Sequence, residues 1–205
     1  MPFTYHELEP DRWSDLTKLL GKNGAQDGCW CMWWRRPTAG KLWEAKKGRP
    51  NRDAMRRLVK NRKASGVLAY DRSGDVETPV GWAAFGSRAD FPRVDRTKAF
   101  KRPEEDREVT DSVWCINCFF IARGYRRQGI ARGLLAAAVQ AMRQRGVDCI
   151  EAYPVTTTGA GKRVEPAFAY TGPIAIFEEL GFQEIQRLAP TRPLLRLNLV
   201  SHHTT

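Results

Sequence analysis

Hydrophobic positions along this chain switch between two spacings, and each switch marks an element. Residues 3–8 suit a short edge strand. Pro10 and Asp11 then open a helix in which Trp13, Leu16, Leu19 and Leu20 recur at helical spacing, with Gly21 and Gly24 to stop it. The stretch CWCMWWRRP is dense in aromatics and poorly periodic. Residues 51–64 predict a helix with Met55, Leu58 and Val59 inward and basic residues outward, closed by Gly66. Strand-like segments at 67–71 and 80–85 flank RSGDVETP, a polar loop suited to a hairpin turn. Residues 87–109 are charged and without period, which predicts a surface excursion.

The next stretch has the strongest pattern. Residues 113–121 form a continuous apolar run, the mark of a strand buried on both faces. Residues 129–145 predict a helix with Ile130, Leu134, Leu135, Ala138 and Met142 on one stripe and Gly146 as its stop. A strand at 149–153, a long loop at 154–172, a short helix at 174–180 ended by Gly181, and strands at 182–187 and 194–199 complete the chain. The loop contains TTTGAGK, which lacks the G-x-x-x-x-G-K-S/T spacing of a P-loop. No internal repeat breaks the order βααβββ(αβ)αββ, which is that of an α/β single domain spanning 1–205.

Composition narrows this picture. With 205 residues, 42% hydrophobic and 28% charged, the chain is long and apolar enough to bury one core. No run approaches the roughly 20 apolar residues that span a bilayer. The opening MPFTYHELEPDRW lacks the basic head and apolar stretch of a secretory signal, so a cytoplasmic protein without a membrane partner is expected. Five cysteines, at 29, 31, 115, 118 and 149, form an odd set best read as free thiols in a reducing compartment. Cys29-x-Cys31 and Cys115-x-x-Cys118 together have the outline of a four-sulfur zinc site. Side chains alternate along a strand, however, so 115 and 118 face opposite ways and no metal is expected. Lys and Arg number 34 against 23 Asp and Glu, a net charge of +11 that favours polyanionic partners or a solvated basic surface. Ten of the basic residues fall within 41–63.

Chemistry concentrates between the buried strand and the helix after it. There Arg126, Arg127, Gln128, Gly129, Ile130 and Ala131 open the helix, and glycine at 129 lets the backbone approach a ligand closely. The first amides of a helix have no internal acceptors and lie at the positive end of its dipole. Such a turn suits a pyrophosphate, and arginines beside it add charge-assisted contacts.

These residues resemble the signature Q/R-x-x-G-x-G/A of the GNAT superfamily of N-acetyltransferases, matched at Arg126, Gly129 and Ala131. The run AIFEELGF is similar to the family's later short helix ending in L-G-F. The resemblance covers most of the chain from Val67 onward. It implies a mixed central sheet of about six to seven strands flanked by about four helices, with 66–205 as the acetyl-CoA-binding core and 1–65 covering the acceptor site. It also implies transfer of acetyl from acetyl-CoA, a co-substrate, to a primary amine by direct attack on the thioester. Phe119, Phe120 and Ile121 would offer main-chain groups to the pantetheine arm, and Arg127 through Arg132 would cradle the pyrophosphate.

The acid and base depart from the family. Many members have a tyrosine four residues before the glycine of L-G-F, able to protonate the leaving thiolate; here Phe177 stands there and cannot donate. Tyr153 or Tyr170 is the expected substitute, and Glu151 the expected base, with a water relay as the alternative. Cys118 reads as a small core residue rather than a nucleophile. Trp30, Trp33, Trp34 and Trp82 are candidates for an aromatic acceptor wall, and Asn117 for the cleft or for a bulge that splays the strands. His6, His202 and His203 receive no role. The pocket is expected to be lined by the N-terminal helices and the loops at 88–111 and 154–172. The acceptor is expected to be a small-molecule or amino-acid-like amine. A protein terminus, an aminoacyl-tRNA gripped by 41–63, or a non-catalytic acyl-CoA sensor are the alternatives, with nucleic acid less favoured and a homodimer open.

Overall fold

The computed structural model describes residues 2–100, 113–156 and 169–199. Among these, seven strands form one mixed sheet: β1 (Phe3–Glu7), β2 (Ser65–Asp71), β3 (Thr78–Ser87), β4 (Val113–Ile121), β5 (Cys149–Ala152), β6 (Gln183–Ala189) and β7 (Arg192–Asn198). Their order across the sheet is β1-β2-β3-β4-β5-β7-β6, and only β4 and β5 pair in parallel. The described helices are α1 (Trp13–Leu20), α2 (Gly40–Glu44), α3 (Arg49–Lys60), α4 (Pro92–Arg96), α5 (Ile130–Gln144) and α6 (Ile174–Glu178), two more than the resemblance implies. The extra two, α2 and α4, have only five residues each, too short to show a period.

Alternation along the central strands explains the layering. On β2 and β3, Val67, Ala69, Val80, Ala83 and Phe85 face the apolar stripe of α5, while Leu68, Tyr70, Trp82 and Ala84 face α1 and α3 through Leu16, Met55 and Val59. The sheet centre is therefore covered on both sides, as continuous apolar runs require. Pro79 sits inside β3 because the register shifts beside it, leaving Tyr70 opposite Pro79 and Ala69 opposite Gly81.

The segment after β3 differs from the expected surface excursion. Up to residue 100 it forms a 3-10 turn at Arg88–Asp90, then α4, then a second 3-10 turn at Lys98–Phe100. Phe91, Val94 and Phe100 are buried against Trp34, Cys115, Tyr153 and Leu194. Isolated aromatic anchors build this core, so it carries no sequence period. Residues 101–109 of that stretch lie outside the described residues.

One charged residue ties the segment down. Arg88 is buried and donates to Glu151 and to the Tyr153 hydroxyl, with a further bond from Nη2 to the Phe100 carbonyl at 3.2 Å. Glu151, fully buried on β5, also accepts from Arg196 of β7 at 3.1 Å and from the Tyr153 hydroxyl at 3.0 Å. Removing one partner of a buried charge pair costs about 3–5 kcal/mol when the other is left stranded, and less here because Arg196 still holds Glu151. Arg88→Ala should lower unfolding stability by about 2–3 kcal/mol in urea denaturation. A loss below about 1 kcal/mol would mean that the pair is solvated and does not hold the segment.

Candidate functional site

The parallel pairing of β4 and β5 runs from Val113↔Cys149 to Ile116↔Ala152 and stops. Beyond it β4 continues against β3 alone, with Asn117 as the extra residue of a bulge between Ala84↔Cys118 and Phe85↔Ile116. The chain after β5 veers to Val155, which bridges Pro173. A gap opens between the two strands. In it the Asn117 carbonyl accepts the Trp34 indole N–H at 2.9 Å, and the Phe119 amide donates to the Tyr170 carbonyl at 2.6 Å. Strand alternation turns the Ile121 amide the same way as that of Phe119. The expected offer of main-chain groups by Phe119 is thus corrected at its N–H, which the chain itself uses.

At the far end of β4 the backbone turns through Arg123–Tyr125 into α5. Arg127 (φ 64) and Gly129 (φ 82) are left-handed, and Gly129 caps the helix. The first intrahelical bond runs from the Gly133 amide to the Gly129 carbonyl at 3.2 Å, so the amides of Ile130, Ala131 and Arg132 are the unpaired donors of the first turn. Not every expected cradle residue faces the same way. Arg126, Arg127 and Ala131 line a cavity together with Arg123 and Gly124. Ile130 is buried in the core, Gln128 donates to the Gly124 carbonyl at 3.1 Å, and Arg132 is held by Glu179 at 2.6 Å.

That cavity measures about 1140 Å³ and runs from the arginine turn, along Phe119, Phe120 and Ile121, to the N-terminal segment. At the inner end stand Trp33, Trp34, Trp43 and Tyr170 with the thiols of Cys29, Cys31 and Cys118. The aromatic wall therefore differs from the expected one. Trp30 and Trp82 are buried in the core beneath it, and Asn117 is buried at the bulge instead of lining the cleft. Trp43 was missed because its short helix shows no period. Arg93 already lies 3.8 Å over the Trp33 ring, so that face is occupied by the chain's own cation. Asp27 and Lys47 pair at the rim.

The three cavity thiols differ. Cys31 Sγ lies 4.0 Å from Cys118 Sγ and accepts the Trp82 indole N–H at 3.2 Å. The hydrogen shared with Cys118, and then the Trp82 donor, hold the Cys31 thiol below its ordinary value against the opposing effect of burial. Cys118 moves up for the same shared hydrogen and for burial, and burial pushes Cys29 up to about 12. The expected opposite facing of Cys115 and Cys118 is overturned: the bulge at Asn117 resets the alternation, so that their β3 partners, Gly86 and Ala84, are two residues apart and the two thiols share a face, Cys115 packing beside Tyr153.

Among the acid–base candidates, only Tyr170 reaches the cavity. Burial raises its hydroxyl above the ordinary range, so it keeps a proton at neutral pH. Tyr153 is fully buried, and burial, then the Glu151 carboxylate, pushes it well above that range. Glu151 is held by two arginines and lies off the cavity wall, which corrects its expected placement as a base. Phe177 is core, edge-on to Phe119 at 6.0 Å and to Phe182 at 5.3 Å. The part of the expected lining at 101–111 and 157–168, including most of TTTGAGK, and His202 and His203 lie outside the described residues.

A sequence model described as the acetyltransferase (GNAT) family matches residues 28–163. No curated protein matches the chain in sequence. Among solved structures, the fold is similar to yncA, a putative acetyltransferase from Salmonella typhimurium solved with acetyl-CoA, at a TM-score of 0.55 and 12% identity over 99% of this chain and 97% of that one. An N-acetyltransferase from Staphylococcus aureus Mu50 superposes at 0.54 with 12% identity, over 97% of this chain and 99% of that one. A chain of the NatC complex bound to Gag peptide and CoA superposes at 0.52 with 16% identity, over 98% and 100%.

The glycine at the head of α5 carries a backbone requirement that can be measured. A Cβ at Gly129 would meet nothing within 4 Å, so the cost of Gly129→Ala is purely the left-handed conformation, about 1–2 kcal/mol. Gly124, with equally open surroundings and no such conformation, should accept alanine within about 0.5 kcal/mol. Equal losses for the two in thermal unfolding would contradict this reading of the turn.

Proposed function

Because the chain belongs to the acetyltransferase (GNAT) family, we propose that it moves the acetyl group of acetyl-CoA to the nitrogen of a primary amine, borne by a small molecule or an amino-acid-like compound. The observation that carries this reading is one cavity joining a helix N-terminus flanked by arginines to an aromatic end. The two ends match the two halves of the reaction. Unpaired amides and the guanidiniums of Arg126 and Arg127 suit a pyrophosphate. The extended edge of β4 in the gap suits an amide-bearing arm added like another strand. When bound there, acetyl-CoA supplies an activated acyl carbon in the form of a thioester.

The protein's part is positioning and proton handling. The aromatic end gives the reacting atoms a largely apolar surround. The Ile121 amide, directed into the gap, is placed to donate to a carbonyl lying along β4. Tyr170, protonated at neutral pH and on the cavity wall, takes the role of the acid that Phe177 cannot fill. Glu151 instead serves β5 by holding Arg88 and Arg196.

A second reading has one feature in its favour. Arg52, Arg56, Arg57, Lys60, Arg62 and Lys63 are all exposed on or just after α3, and this face suits a polyanionic acceptor such as an aminoacyl-tRNA. Steep loss of acceptor affinity with salt would favour it.

Acetyl-CoA should raise the melting temperature, and an amine panel should release free CoA thiol. Replacing Arg126 and Arg127 together by alanine should weaken acetyl-CoA binding by about tenfold to a hundredfold, the value of one or two charge-assisted bonds, while leaving stability unchanged. Unchanged stability in saturating acetyl-CoA would overturn the reading, and stabilisation without thiol release across the panel would leave an acyl-CoA sensor in its place.

A further inference from the structure

An aromatic wall ordinarily holds a cationic amine against its ring faces, and one buried residue changes that here. Arg93, the second residue of α4, is 7% exposed. Its Nε donates to the carbonyls of Trp33 at 2.7 Å and Arg36 at 3.1 Å, and its Nη2 donates to that of Thr38. Three main-chain acceptors from one loop therefore fix the guanidinium in place. Its central carbon stands 3.8 Å from the centre of the Trp33 ring and 5.6 Å from that of Trp43, and the two rings meet edge to face at 5.0 Å. Trp33 and Trp43 line the cavity, and Arg93 stands behind them. Carbonyls carry no net charge, so no ion pair among the described residues neutralises it. Asp27, the one acid among the described lining residues, pairs with Lys47 at the rim. The charge reaches the wall: burial raises the Tyr170 hydroxyl, and Arg93 is among the cations that oppose that rise.

A second cation on the free side of the Trp33 ring would sit at a similar height, and so about 8 Å from the guanidinium. At an effective dielectric near 20, two such charges repel enough to weaken binding by about tenfold to thirtyfold. That matches the attraction a desolvated cation gains from an aromatic face, so the wall offers an ammonium no net hold. We infer that Arg93 determines acceptor specificity by holding a positive charge behind the tryptophan wall. The pocket then takes an amine whose remainder is uncharged or anionic and turns away diamines and quaternary ammonium compounds. The inference rests on the acetyl-transfer reading above and narrows its acceptor. The reacting nitrogen escapes the penalty because it is neutral when it attacks, whereas a second ammonium keeps its charge inside the pocket. An amino-acid-like amine meets the condition, since its carboxylate is drawn by the same charge.

The test compares pentylamine with cadaverine, equal in chain length and differing by one charged group, through CoA thiol release by the intact chain with acetyl-CoA. Wild type should favour the monoamine in kcat/KM by about tenfold or more. The apolar wall contributes to that preference, so the deciding quantity is its change on substitution. Arg93→Gln keeps donors for the loop carbonyls and removes the charge. It should narrow the ratio by about tenfold, through the KM of the diamine, with acetyl-CoA affinity unchanged. Arg93→Lys keeps the charge and should keep the ratio, even where a loosened loop slows both amines. A residue that only held the loop would let the two variants behave alike. Thiol release with an unchanged ratio in Arg93→Gln would overturn the inference and leave the acetyl-transfer reading standing. Stabilisation by acetyl-CoA without thiol release from any amine would overturn both. Should neither variant fold, the wild type decides: equal or better use of the diamine overturns the inference, and the expected preference for the monoamine upholds it.

Discussion

β4 and β5 share hydrogen bonds for four residue pairs and then part, and the rest of the site is arranged around that parting. A strand that loses its neighbour in the middle of a sheet exposes amides and carbonyls that must find other partners. The bulge at Asn117 begins the divergence by giving β4 one residue more than β3. Trp34 takes the carbonyl of Asn117, and the Tyr170 segment takes the amide of Phe119. Both plugs enter from segments with little regular structure of their own. The gap thus recruits the inner walls of the cavity, because they satisfy backbone groups that the divergence leaves over.

The buried charges keep β5 in place while this happens. Glu151 stands on a strand of only four residues, whose neighbours are β4 on one side and β7 on the other. Arg88 reaches it from the segment after β3 and Arg196 from β7, so one carboxylate joins three parts of the chain. The same residue read in sequence alone is an attractive general base. What removes it from that role is placement: Arg88 and Arg196 hold it, and it lies off the cavity wall. Tyr153, two residues on, is drawn into the same cluster. Tyr170 is left to the cavity.

Legibility in the sequence follows the range of the interaction. The strand at Val113–Ile121, the helix at Ile130–Gln144 with Gly129 ahead of it, and the edge strand at Phe3–Glu7 agree with the sequence pattern within a residue or two. In each, side chains separated by two to four residues decide the structure. The arginine turn was legible for the same reason, since its strand, glycine and helix are contiguous. The stretch after β3 was misread as surface because its burial depends on single anchors, Phe91, Val94 and Phe100, that meet partners from distant strands. Arg132 and Ile130 illustrate the limit within a motif. Both belong to the turn, but helix rotation sends one to Glu179 and the other into the core.

The sequence by itself determined the α/β order, the strand-to-helix turn and hence the family, because periodicity and helix-end chemistry are written in neighbouring residues. The tertiary structure alone decided which polar groups share a space. It joined Glu151 to Arg88 across 63 residues and Cys31 to Cys118 across 87, and it assigned the first pair to the core and the second to the cavity. Nothing local separates those cases. Both are polar residues on or near apolar stretches, and only the packing of one layer against another sets whether such a group meets a counterion, a donor or an open cavity.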